Sequence, residues 1–91
     1  MFKLNLTKDA LDFWETLDAK LYRQVARKVL SLLFDPYPHD SKSLIGYSEY
    51  YRIDAGEYRI IYKVEKDMIM LVLIGLRNDD NVYKKFQRKL S

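Results

Sequence analysis

The main change in the hydrophobic period of this chain falls at a firm helix stop. From Leu11 to Leu33 the apolar residues recur at helical spacing. From Tyr50 onward they gather into short runs rich in aromatic and β-branched residues. Between the two lies Asp35-Pro36-Tyr37-Pro38. Proline lacks the N–H that a helix interior needs, and it disfavours helical backbone in the residue before it. A helical half followed by a strand half is the pattern of an α+β domain, not of alternating α/β units.

Before the stop, Phe2, Leu4 and Leu6 alternate with polar residues and read as a short half-buried strand. Thr7 is the expected N-cap of the helix that follows, with Ala10 rather than Glu at the third helical position. Leu11, Trp14, Leu17 and Leu21 form one apolar stripe, with Phe13 beside it. Asp9, Asp12, Glu15 and Asp18 form a solvated face. Leu21, Val25, Val29, Leu32 and Leu33 form a second stripe, with Arg23, Arg27 and Lys28 opposite. Residues 8–34 therefore read as two helices with a break near Ala19–Lys20, and His39 to Ser43 as a polar loop.

After the stop, Tyr50–Asp54 and Tyr58–Val64 read as a hairpin around the loop Asp54-Ala55-Gly56-Glu57. Met68–Ile74 is uniformly apolar, which predicts a central strand buried on both faces, reached through a turn at Lys66-Asp67. Asp79 or Asp80 is the expected cap of a last helix with Tyr83, Phe86 and Leu90 on one face. The order is β-α-α-β-β-β-α, with a small, mainly antiparallel sheet.

Composition excludes several classes. At 91 residues the chain reads as one domain, 1–91. An apolar share of 48% argues against disorder. The absence of Cys removes a disulfide framework, a thiolate zinc site and a Cys nucleophile, and a single His leaves no His-rich metal site. No metal or cofactor is expected. The longest apolar run, Met68–Ile74, is too short for a membrane helix, which needs about 18 residues. With no signal-peptide pattern at the N-terminus, a cytoplasmic protein is expected. Of the net charge of +3, residues 1–40 contribute nothing, with six basic and six acidic groups. Residues 41–76 balance at five of each, and residues 77–91 carry five basic against two acidic. A local basic excess points to an anionic partner.

No nucleotide-binding glycine motif, zinc-protease motif or serine elbow occurs. His39 sits in a Pro-flanked loop and reads as a solvated side chain, and no carboxylate pair stands out. The unusual feature is cationic and aromatic. Arg52 and Arg59 lie on the two hairpin strands, Arg77 follows the apolar strand, and Tyr83 and Lys84 lie at the start of the last helix. If that helix packs beside the sheet, Arg59, Arg77 and Tyr83 converge. Arginine forks pair bidentately with phosphate oxygens and stabilise charge building up at phosphorus. A tyrosine can stack on a base or bond a reacting hydroxyl. RNA supplies its own nucleophile, the 2′-OH, so such a site needs no metal. Core packing explains Tyr83 equally well, and ion pairs with Glu49, Asp54 or Glu57 explain Arg52 and Arg59.

Tyr51-Arg52-Ile53-Asp54-Ala55-Gly56-Glu57-Tyr58-Arg59-Ile60-Ile61-Tyr62 resembles the hairpin of the RelE/ParE toxin superfamily. Leu44-Ile45-Gly46 upstream, and Gly75-Leu76-Arg77 followed by Val82-Tyr83, resemble its other motifs. The resemblance implies the toxin of a type II toxin–antitoxin pair, with the RelE-like fold. The RelE branch cleaves mRNA in the ribosomal A site and is neutralised by a cognate antitoxin in a hetero-oligomer. On that reading Arg59 and Arg77 hold the scissile phosphate and Tyr83 orients the nucleotide. Arg52, Lys42, Lys63, Lys84 and Lys85 bind RNA. Two positions depart from relatives: Asp54 stands where some RelE proteins have a second lysine, and Ser43 stands where a basic residue is common. The alternatives are a ParE-like gyrase inhibitor without nuclease activity, a non-catalytic RNA-binding module, and a degenerate toxin that retains only antitoxin binding.

Overall fold

A computed structural model describes residues 1–78 and 81–90. Its elements are β1 (Lys3–Leu6), α1 (Lys8–Glu15), α2 (Ala19–Phe34), β2 (Lys42–Leu44), β3 (Tyr47–Ala55), β4 (Tyr58–Glu65), β5 (Met68–Leu76) and α3 (Asn81–Leu90). The strands form a single sheet in the order β1-β5-β4-β3-β2. The β1–β5 pair is parallel and the other three are antiparallel. This is the α+β architecture that the change of period predicts.

Both faces of the sheet are covered, by helices from opposite ends of the chain. On one face Ile53, Ile60, Tyr62, Ile69, Leu71 and Ile74 meet Trp14 of α1 and Val25, Val29 and Leu32 of α2. On the other, Leu44, Ile61, Val72 and Leu73 meet Val82 and Phe86 of α3. Tyr62 is fully buried, and its hydroxyl donates to the Pro36 carbonyl at 2.8 Å, fixing the segment after α2. Burial pushes the Tyr62 phenol up to about 12.

The uniformly apolar stretch hides an irregularity in β5. Ile61 pairs with Leu73, but Tyr62 pairs with Leu71, so Val72 is an extra residue. This is a β-bulge, two residues facing one. Val72 and Leu73 consequently point to the same side, toward α3, and strand alternation changes phase there. Thr7 holds the bulge: its N–H donates to Leu71 O at 3.0 Å and its hydroxyl to Val72 O at 2.6 Å. The same hydroxyl accepts from Ala10 N, capping α1 as the sequence predicts.

The structure differs from the sequence expectations at several boundaries. The helix break falls at residues 16–18, not Ala19–Lys20, because the Asp18 carboxylate accepts from Leu21 N and caps α2. His39 to Ser43 is not all loop: Lys42 and Ser43 pair with Arg52 and Tyr51. Asp54 and Ala55 belong to β3, which leaves a two-residue turn at Gly56-Glu57 with Gly56 at φ 62°. A two-residue hairpin with positive φ at its first position favours glycine there. The interior apolar strand, β5, lies between β1 and β4, and β4 is the middle strand. The buried pair on α3 is Val82 and Phe86, whereas Tyr83 is half-buried and Leu90 exposed. The expected cap at Asp79 or Asp80 lies outside the described residues. Lys66, at φ 54° in the β4–β5 turn, is a non-glycine residue with left-handed backbone.

Thr7→Val keeps the shape of the side chain and removes both hydroxyl bonds. It should lower stability by about 1–2 kcal/mol, read from the urea midpoint at unchanged slope.

Candidate functional site

Register brings the cationic residues together. Asp54 on β3 stands directly opposite Arg59 on β4, and Arg59 directly opposite Gly75 on β5. One row along the sheet, Lys42, Arg52, Ile61 and Leu73 are aligned across four strands. Both rows face α3. Gly75 matters through its missing side chain. A Cβ there would stand 3.1 Å from Val82 Cβ and Cγ2, so glycine lets α3 lie against the strand beside Arg59. Past the end of β5, Arg77 N donates to Glu57 O at 2.9 Å, which keeps Arg77 beside the hairpin turn.

The Arg59 guanidinium is held from two sides. Its Nε donates to Asp54 Oδ1 at 2.8 Å and its Nη2 to Asp54 Oδ2 at 3.2 Å, a side-on bidentate pair. Its Nη1 donates to the Tyr83 hydroxyl. The Arg59 side chain is 15% exposed, whereas that of Arg77 is 46% exposed with Nη1 3.9 Å from Asp54 Oδ2. The hydrogen bonds from Arg59 hold the Asp54 carboxyl below its usual range despite partial burial, and Arg52 and Arg77 add to the effect. The bond to Asp54 likewise makes Arg59 still harder to deprotonate.

Beside this cluster runs a groove of about 440 Å³. Leu44, Tyr47 and Phe86 supply apolar lining, while Lys42, Arg52 and Tyr83 add polar groups. Such a groove offers an aromatic surface and two cations next to a pair of arginines, the chemistry that suits a nucleotide and its phosphate.

Of the residues the sequence singles out, Arg59, Arg77 and Tyr83 form one cluster, and Arg52 and Lys42 line the adjoining groove. Lys63 is elsewhere. It lies four residues from Arg59 on the same strand, about 13 Å away. It pairs with Glu65, and its ammonium sits 5.4 Å from the Tyr50 ring. Lys84 is exposed on α3, and Lys85 lines a second groove near Phe13, on the far side of the helix. Sequence reasoning left Asp54 as one of three carboxylates able to pair with the hairpin arginines, and the register selects it. Gln87 in the groove was missed, though it lies one turn beyond Tyr83. The acids of α1 are not all a bare solvated face: Asp9 accepts from Lys89 at 2.9 Å, tying α1 to α3.

Among the described residues no group of His, Asp and Glu is placed to hold a metal ion, and no helix is long and apolar enough to cross a membrane.

The fold is one found in small toxins. The family described as ParE toxin of type II toxin-antitoxin system, parDE, matches residues 4–81. The chain is 30% identical over 86 residues to a RelE-like toxin protein of Escherichia coli, covering 90% of each. It is similar to the toxin-antitoxin complex RelBE of E. coli, with 25% identity, a TM-score of 0.74, and 84% and 96% of the two chains covered. A substituted E. coli RelE toxin in the free state matches with a TM-score of 0.81 at 22% identity, over 99% of this chain and 98% of that one. The chain belongs to the RelE/ParE superfamily and is a toxin of a type II toxin–antitoxin system.

Asp54 gives the cluster a signature in acid. Its folded pKa is depressed, so the stability it contributes is complete above the unfolded carboxylate value near 4 and is lost as pH falls through the lower folded value. Urea unfolding of wild type and Asp54→Asn should differ by a constant amount at neutral pH and converge in strong acid.

Proposed function

We propose that this toxin is an RNA endonuclease that cuts mRNA on the ribosome and is held inactive by a cognate antitoxin. The observation that carries the reading is the convergence of Arg59, Arg77 and Tyr83 beside a groove lined by Arg52 and Lys42. The antitoxin partner is supported by relatives whose structures are toxin-antitoxin complexes, including RelE-RelB of Pyrococcus horikoshii.

In the proposed reaction the RNA's 2′-oxygen attacks the adjacent phosphorus and the bond from phosphorus to the 5′-oxygen breaks. The hydroxyl proton passes to a base, the leaving oxygen takes up a proton, and the products are a 2′,3′-cyclic phosphate and a 5′-hydroxyl. No metal is required, because the nucleophile is built into the substrate. Arg77, the more exposed of the two arginines, is free to meet the phosphate. Arg59 adds a second positive charge as negative charge builds up on the phosphoryl oxygens. Tyr83 receives its hydrogen bond from Arg59, so its own hydroxyl proton is available to the nucleotide. Asp54 is a poor base for the 2′-OH, since its carboxylate is already bonded twice and its pKa is depressed.

A second reading has one observation in its favour: the matching family is described by the ParE name. That reading makes the protein a gyrase poison without nuclease activity.

Purified toxin added to stalled ribosomes carrying a defined mRNA should cut within the A-site codon. Arg77→Ala and Arg59→Ala should each slow cutting by about a hundredfold or more. Normal cutting by both variants would overturn the site assignment. Intact mRNA together with toxin-dependent double-strand breaks on gyrase would replace the endonuclease reading with the ParE one.

A further inference from the structure

Asp54 is an anion placed among three arginines, in a site read as holding a phosphate. Its carboxylate is bound side-on by Arg59, lies 3.9 Å from Arg77, and is also influenced by Arg52. A carboxylate there lowers the site's attraction for RNA, so charge alone gives it no benefit to binding. What it supplies is geometry.

A guanidinium carries five N–H donors in one plane. Asp54 occupies the edge formed by Nε and Nη2, and Tyr83 takes one donor from Nη1. One N–H on Nη1 and one on Nη2 remain outside these three bonds. Two partners on different edges fix the plane, so the direction of the remaining donors is set before any substrate arrives. Arg59 is also mostly shielded from solvent, at 15% exposure, and stands on the middle strand of the sheet. An arginine held this way loses little conformational freedom when it meets a phosphate, which is the condition for preorganised charge stabilisation. Arg77, with its longer contact and greater exposure, is not held in the same manner.

We infer that Asp54 is a positioning residue of the toxin's phosphate site: its carboxylate locks the Arg59 guanidinium, and through it the Tyr83 hydroxyl, at some cost in RNA affinity. The inference rests on the endonuclease reading above.

The test separates rate from affinity in Asp54→Asn, which keeps the side-chain shape and removes the charge. Cutting of ribosome-bound mRNA under saturating toxin should fall about tenfold or more. Affinity for ribosomes programmed with a non-cleavable, 2′-O-methylated A-site codon should stay the same or tighten. Rate and affinity rising together would make Asp54 an electrostatic brake and overturn the inference. Both falling together would make it merely structural, and an unchanged rate would overturn it as well. The hold on Arg59 has its own readout, the hydrogen exchange of its Nε–H by nitrogen-15 NMR. Exchange should be slow in wild type and fast in Asp54→Asn; exchange in wild type as fast as that of the exposed Arg23 would overturn the hold. If wild type cuts no RNA, the endonuclease reading fails by itself, and this exchange measurement still decides whether Asp54 fixes Arg59.

Discussion

Everything at the candidate site follows from how little of the sheet one helix can cover. On one face, α1 and α2 together bury the strands. On the other, α3 is alone, and ten residues make a helix about 15 Å long. Five strands at about 4.8 Å spacing span some 19 Å. The helix settles on the apolar band of Ile61, Val72 and Leu73, and Phe86 reaches Leu44 of β2 and Tyr47 and Tyr50 of β3. Lys42, Arg52, Asp54 and Arg59 lie along the margin of that contact, toward the hairpin end of the sheet. Charged groups sealed beneath a helix would be expensive; at the edge of one they keep access to water on one side and a rigid strand on the other. The core and the candidate site are two parts of one sheet face, divided by the margin of α3.

That division explains what was legible in the sequence. The change of period at Pro36 and Pro38 showed the architecture because helix and strand repeats differ over many residues. The convergence of Arg59, Arg77 and Tyr83 was legible because hairpin and helix registers place them without fine detail. Short-range detail was less visible. The strand at Lys42–Leu44 has three residues and one buried side chain, too few for a period. Asp18 looked like one more acid on a polar helix face, although it caps the next helix. In α3, Tyr83, Phe86 and Leu90 share a face as well as Val82 and Phe86 do. The choice between those stripes was made by the gap at Gly75, which belongs to a different element.

Charge counted along the chain also misled in one respect. Residues 1–40 sum to zero, but α2 carries Lys20, Arg23, Arg27 and Lys28 and no acid. Only Lys28 among these forms an ion pair within the described residues, with Asp40. Lys20, Arg23 and Arg27 line a shallow groove on α2, the helix that covers the sheet face opposite α3. The basic character of the protein is therefore not confined to its last fifteen residues. It is divided between two surfaces separated by the sheet, so the potential close to α2 is positive although the segment that contains it sums to zero.

Val72 acts on β5 as a one-letter insertion acts on a reading frame. Before it, Ile69 and Leu71 face α1 and α2; after it, Ile74 does, while Leu73 and Gly75 face α3. Without the extra residue, Ile74 and Leu76 would lie beneath Val82, and Gly75 would be on the wrong side of the sheet to make room for the helix beside Arg59. A strand that looks like featureless apolar filler therefore carries the punctuation for the site. Losing or gaining one residue between Leu71 and Gly75 would leave its hydropathy nearly unchanged and garble what it spells.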